Sequence, residues 1–421
     1  MKLTTLTTAI IVATIPMTGA FAAALDRSGQ SISAFLQPGN YFEAGISVLD
    51  PNVSGKVQNN WTPAGAAAGL APAYRGTSVG EMAGDYYFPT AALKLQLTDH
   101  FSFGLLYDQP FGAEATYSTD TYLNPIAGGV FHNGQEGTSV EVTTQNLSMI
   151  LGFQPTENWN IYGGGVYQTV KGDVQLRGLA YGSTAAFGDY NANIGEDSAV
   201  GWLAGLAYQI PEIALKASVT YRSEIEHKIQ ITESLGTSGL VATLNPLVGY
   251  KPGETDITTP QSVNLDFQTG IMADTVAFAN VRWVDWSNFS IRPNDFGHAS
   301  KFIPGKPNGF DLVAYTDDQI SATVGVGRKL SEQWAGNVSV GWDSGAGNPI
   351  STLGPTEGYW NVGLGMQFSP TPATFIAGGV KYFWLGDAKA QVASDFGSNS
   401  YVADFEDNHA IAYGLKMGYR F

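Results

Sequence analysis

Residues 213–232 read IALKASVTYRSEIEHKIQIT. Odd positions carry Ile213, Leu215, Ala217, Val219, Tyr221, Ile225, Ile229 and Ile231, with Ser223 and His227 as exceptions. Even positions carry Lys216, Ser218, Thr220, Arg222, Glu224, Glu226, Lys228, Gln230 and Thr232. Strand side chains alternate between two faces, so this is period two held for about twenty residues, where strands usually run to about five or six. A soluble sandwich has little use for so long a strand with one polar face. A wall between lipid and a polar lumen needs one. The C-terminus repeats the pattern: Ile411, Tyr413, Leu415, Met417, Tyr419 and Phe421 alternate with Ala412, Gly414, Lys416, Gly418 and Arg420. The expected fold is all-β, a transmembrane antiparallel β-barrel.

Composition agrees. The chain holds 51 glycines and no cysteine, and charged residues make up only 14%. Without cysteine there is neither a disulfide framework nor a thiolate metal site. No segment after the N-terminal leader offers eighteen apolar residues in a row, which excludes helical spans. A formal charge of −16 argues against nucleic acid and against a polybasic membrane anchor. Residues 1–22 read as a signal peptide: a basic start at Lys2, an apolar Thr-rich run, then Ala20-Phe21-Ala22. The chain is expected to be exported.

Strand candidates fall at 40–56, 85–98, 101–117, 138–155, 159–179, 197–210, 213–233, 255–272, 275–292, 313–330, 334–344, 357–369, 373–393 and 405–421. Their number, fourteen, is even, as single-chain bacterial barrels require. Short connections, such as Asp99-His100 and Ala273-Asp274, alternate with long ones, such as 57–84 and 234–254. That rhythm predicts periplasmic turns and extracellular loops within one barrel domain, 40–421. Trp159, Trp283, Trp286, Trp334, Trp360 and Trp384 stand near strand ends, where interfacial girdles are expected.

Four features go beyond the wall. Residues 23–39 precede the first strand and either plug the lumen or trail in the periplasm. The third strand carries its own breaker, Gln109-Pro110-Phe111-Gly112. Proline removes a ladder donor and glycine weakens the sheet, giving either an ordinary bulge or a gap in the wall. The loops 62–74 and 234–250 are apolar, and Leu240, Leu244 and Leu247 fall at helical spacing, which suits a cap over the mouth or a landing site for a greasy ligand. Arg222, Glu224, Glu226 and Lys228 are expected as a ladder of paired charges in the lumen. The five histidines show no Ser-His-carboxylate or zinc spacing, so neither enzyme chemistry, cofactor nor metal is expected.

On three strings the chain resembles the FadL-type long-chain fatty-acid transporters of the bacterial outer membrane. They are Thr220-Tyr221-Arg222-Ser223-Glu224 in the seventh strand, Asp50-Pro51-Asn52-Val53-Ser54-Gly55 closing the first, and Gly201-Trp202 with Ala204-Gly205 in the sixth. The resemblance implies fourteen strands around an N-terminal plug, and a third strand kinked inward to open the wall sideways, here at Gln109–Gly112. It also implies basic residues holding a cargo carboxylate, for which Lys171, Arg177 and Arg222 are candidates. The chain departs from the family in a shorter plug, the absence of Asn-Pro-Ala from residues 23–40, and a short loop at 180–196. The expected function is passive uptake of hydrophobic or amphipathic molecules, long-chain fatty acids first, with lateral release into the outer membrane. Alternatives are an importer of aromatic hydrocarbons and a diffusion porin for small hydrophilic solutes. Expected partners are the cargo, outer-membrane lipid and lipopolysaccharide, and the barrel-assembly machinery through Phe421, with the protein a monomer.

Overall fold

The computed structural model describes residues 25–63, 65–125, 127–235 and 253–421. The leader at 1–22 and the expected helical positions Leu240, Leu244 and Leu247 lie outside the described residues.

Fourteen strands close one antiparallel barrel. They are β1 (Tyr41–Asn52), β2 (Tyr86–Gln96), β3 (Phe101–Asp108 and Gly112–Thr116), β4 (Ser139–Phe153), β5 (Trp159–Arg177), β6 (Asp189–Ile210) and β7 (Leu215–Arg222 and Ile225–Ser234). The other seven are β8 (Glu254–Thr259 and Ser262–Met272), β9 (Thr275–Val284), β10 (Gln319–Lys329), β11 (Trp334–Asp343), β12 (Tyr359–Thr371), β13 (Thr374–Leu385) and β14 (His409–Arg420). Closure comes from β1, which pairs with β14 from Tyr41↔Arg420 to Asn52↔His409 and with β2 on its other edge. Every expected strand is present, and β6 starts earlier than its sequence suggested because Asp189–Ile194 also pairs with β5.

Alternation does the sorting. On β4, Leu147, Met149 and Leu151 are exposed while Asn146, Ser148 and Ile150 are buried. Large apolar side chains standing outward on strand after strand would be a liability in water; against lipid they form the required band. Aromatic pairs mark its edges: Phe101–Phe153, Trp159–Tyr208 and Trp334–Phe368 beside the short turns, Trp202–Tyr221 and Tyr382–Trp384 nearer the long loops. Trp286 is no girdle residue. It is fully buried and donates its indole N–H to Gln319.

The run 213–232 is two strands in one. Up to Arg222 the even residues point inward; Lys216 and Arg222 bond groups inside the barrel, while Val219 is exposed. From Ile225 the odd residues Ile225, His227, Ile229 and Ile231 are buried, and Glu224, Glu226, Lys228 and Gln230 are exposed. A break at Ser223-Glu224 reverses the facing, as any odd register slip must. The expected lumen ladder of charges is thus corrected: only Arg222 faces inward, and the Glu226–Lys228 pair is solvated on the outer surface. Pro260-Gln261 makes the same reversal in β8.

The interior is filled. Near the short turns, Ile32, Phe35 and Leu36 from the segment preceding β1 pack against Ile150, Tyr162 and Leu203. Gly104 and Gly152 make room: a Cβ on either would lie within 3 Å of the Phe35 ring. Toward the long loops a second apolar core forms, including Phe111, Trp286, Phe296 and Phe405. Above it five short strands from three connections, Ser54–Val57, Ser78–Glu81, Ile350–Ser351, Ala388–Gln391 and Ala403–Phe405, form a small separate sheet.

Two expectations follow. Phe35→Ala removes a ring with no exposed surface, a change that costs about 3–5 kcal/mol in a packed core; thermal unfolding of the purified barrel should begin well below the parent's. In the outer loops, burial raises Glu357 to about 7 and Asp295 to about 6, the latter helped by the Glu233 carboxylate. Acids raised by folding favour the folded loops at low pH and oppose them as pH climbs through these values. Proteolytic nicking of the loop segments should therefore be faster at pH 8 than at pH 5, and Glu357→Gln should flatten the difference.

Candidate functional site

The break in β3 follows from its sequence. Pro110 has no N–H to offer. Between Asp108↔Asn146 and Gly112↔Thr143, residues 109–111 of β3 face residues 144–145 of β4. The extra residue is a bulge that turns Phe111 into the barrel. There its ring meets the Trp286 ring edge-on, centroids 5.4 Å apart. Phe111 N donates to Thr144 Oγ1 at 2.9 Å, and Phe111 O accepts from Thr144 N at 3.1 Å.

Two further freed groups bond inward. Arg27 N donates to Pro110 O at 2.6 Å, and Gly112 N donates to Leu25 O at 2.8 Å. Leu25–Arg27 thus lies along the inner side of the bulge like a fragment of an added strand, with Asp26 bridged to Phe111.

On its other edge β3 loses β2. The ladder ends at Ala91↔Tyr107, and an isolated bridge, Ala83↔Ala115, follows. Residues 84–90 and 108–114 face each other across a slit, with no ladder pair between them among the described residues. Each edge carries a proline, Pro89 and Pro110, and so one donor fewer. Tyr86 crosses the end nearer the long loops: its hydroxyl donates to Glu114 O at 2.5 Å and accepts from Glu114 N at 2.9 Å.

Behind the slit lies a cavity that reaches Tyr86, Gly112 and Glu114. Leu25 and Asp26 line it too, Val140, Val142, Val174 and Ile194 of β4–β6 contribute an apolar side, and the outer connections supply Leu312 and Leu353. The polar layer near Asp26 is knit together. Arg282 of β9 grips Asp26 with Nε to Oδ2 at 2.8 Å and Nη2 to Oδ1 at 3.0 Å, both side chains almost wholly buried. Arg282 also donates to Asn264 and Gln30, Asn264 donates to Gly29 O, and Ser28 bonds the Asp108 carboxylate. Farther down, Lys94 and Lys216 donate to the carbonyls of Gln37 and Leu36.

The residues singled out from sequence separate into groups. Gln109, Pro110, Phe111 and Gly112 stand together at the slit. Lys171 is exposed on the outside of β5 and does not reach the cavity. Arg177 is buried but occupied, by Glu136 at 2.8 Å, by Asn191 and by the carbonyls of Leu176 and Tyr190. Arg222 faces the interior, donates to Gln30 O, and has no acceptor for Nε and Nη1. Sequence reasoning missed Asp26, Arg27, Tyr86 and Arg282. The available signal was the charged pair Asp26-Arg27 at the head of an otherwise uncharged segment, and Arg282 among apolar neighbours.

A family model described as outer membrane protein transport protein (OMPP1/FadL/TodX) matches residues 25–421. No curated protein matches the chain. Among solved structures, a FadL homologue of Pseudomonas aeruginosa aligns with a TM-score of 0.65 at 15% identity over 92% of both chains. The Pseudomonas putida toluene transporter TodX gives 0.60 at 13% identity over 92% of this chain and 91% of that one. The Ralstonia pickettii toluene transporter TbuX gives 0.57 at 13% identity over 96% and 98%. At these identities the likeness is one of fold.

Arg282→Met should strand Asp26 as a buried, unpaired charge, a loss of about 3–5 kcal/mol. Protease sites in Leu25–Gly39 should become cleavable in the folded barrel. Adding Asp26→Asn should restore part of the protection, as expected of partners in one network.

Proposed function

The chain belongs to the OMPP1/FadL/TodX family, transporters of hydrophobic compounds across the outer membrane and not enzymes, and from that premise we propose passive uptake with lateral release through the β2–β3 slit. The observation that carries this reading is the meeting of an apolar cavity with an unpaired stretch of wall. Cargo enters beneath the outer loops, occupies the cavity, and leaves between Tyr86–Thr90 and Asp108–Ala113 into the surrounding leaflet. No energy source is needed. Each methylene withdrawn from water contributes about 0.8 kcal/mol, and because lipid keeps the chain out of water as the cavity does, onward passage does not forfeit that gain.

Residues 25–39 act as the plug. They fill the periplasmic half of the lumen, so an aqueous path down the barrel axis, as a hydrophilic porin requires, has no support from the packing. The sideways path requires no movement of this segment, which suits its many bonds to the wall. Long-chain fatty acids are the first choice of cargo. Toluene transport is named for two of the structural relatives, and aromatic hydrocarbons are the second choice, supported here by the cavity's mostly apolar lining.

Replacing Pro110-Phe111-Gly112 with Val-Thr-Val restores ladder donors and β-formers along the slit. Uptake of oleate by cells carrying this variant should fall severalfold at equal barrel abundance. Unchanged uptake would remove the lateral route.

A further inference from the structure

The slit is shut at one end by side chains rather than by a ladder. Tyr86 of β2 and Glu114 of β3 cross it from opposite edges. The Tyr86 hydroxyl donates to Glu114 O at 2.5 Å and accepts from Glu114 N at 2.9 Å, so it occupies both main-chain groups that a strand partner would take. The Glu114 side chain lies back over Gly84, where an added Cβ would stand 3.1 Å from Glu114 Cγ. Both backbones are held from behind, Tyr86 by Leu49 of β1 and Glu114 by Glu141 of β4. Their neighbours along the slit, Ala83, Gly84, Gly112 and Ala113, are small and leave the passage to the ring. On the inner side Arg27 backs the ring, its guanidinium carbon 4.2 Å from the ring centre and 2.4 Å from where a Cβ on Gly112 would stand. Phe88 stacks with the ring at 6.1 Å. Tyr86 is buried, and the cavity reaches Tyr86, Gly112, Ala113 and Glu114.

A ladder pair separates only when a strand moves. A phenol turns about two side-chain torsions and leaves while both strands stay in place. Each of its two bonds is weak once exchange with water is counted, so the closure is reversible. We propose that Tyr86 is the gate of the lateral exit: with its hydroxyl on the Glu114 main chain the slit is closed, and rotation of the ring away from Glu114 joins the cavity to the membrane. This rests on the lateral-uptake reading and adds to it the regulation of that route. The ring and a passing cargo occupy the same place, so each transit displaces the phenol and its return reseals the wall. Glu114 N and O lose their partner in the open state, which favours closure whenever no cargo is present.

Uptake of oleate is measured in cells at equal abundance of folded barrel, judged by heat-modifiable mobility. Tyr86→Phe keeps the ring and removes both bonds; Glu114→Pro removes the donor from the opposite edge. Each should raise uptake severalfold, Glu114→Pro by less, because the closed state is then less populated. A tyrosine that merely braced the wall would give the reverse, a fall in uptake along with stability. Tyr86→Phe placed in the Val-Thr-Val replacement of residues 110–112 should add nothing, since a sealed slit has no gate to open. Unchanged or lower uptake in Tyr86→Phe overturns the gate even where the Val-Thr-Val variant is impaired, so the gate and the lateral route fail separately. Should Tyr86→Phe not fold, Glu114→Pro decides by the same criterion. An equal rise in the Val-Thr-Val background places the effect elsewhere and also overturns the gate. So does a parallel rise in entry of a hydrophilic dye, which marks a leak. If the Val-Thr-Val variant takes up oleate as the parent does, the lateral route falls and the gate with it.

Discussion

A strand that leaves its ladder inside a membrane wall must find other partners for its main chain, because lipid offers none. In β3 that constraint is met from within. Pro110 O and Gly112 N bond Arg27 N and Leu25 O, and Phe111 bonds Thr144 of the next strand. The slit therefore exists only because the chain's first described residues run along its inner edge. The wall and the segment inside it are one hydrogen-bonded structure, and neither edge of the opening is an accident of weak pairing.

The Asp26–Arg282 pair is the anchor of that arrangement. It sits between two apolar cores, one holding Phe35 below and one holding Phe111 and Trp286 above. Both carboxylate oxygens are occupied, and Asn264, Ser262 and Gln30 use the other Arg282 donors, so the charges are compensated where they are buried. Such a pair contributes little net stability against an apolar substitute of like shape. Its value lies in position: it holds Leu25 and Arg27 opposite Pro110 and Gly112.

Period-two alternation made the barrel legible, and the long run at 213–232 alone was enough to separate lipid wall from soluble sheet. The same run misled on which way its upper half faces. Above the membrane the barrel's interior is an apolar core beneath the loops and its exterior is water, so isoleucines point in and glutamates out, the reverse of the spanning half. A residue-by-residue pattern carries no mark of that change of surroundings, and the break at Ser223-Glu224 looked like two minor exceptions. The Pro110–Gly112 interruption was visible because proline and glycine act locally. The charges of Asp26 and Arg27 stand out in their segment, but their roles and that of Tyr86 depend on pairing with Arg282, Gly112 and Glu114, and nothing in the sequence aligns residue 26 with residue 282.

That separation, 256 positions along the chain, has a consequence for biogenesis. The segment around Asp26 can dock only after the ninth strand has been synthesised and placed, which makes this one of the longest-range contacts to assemble. Its docking and the zipping of the first strand to the last must be concerted. A cylinder sealed too early would shut residues 25–39 outside and leave an unlined hole through the membrane.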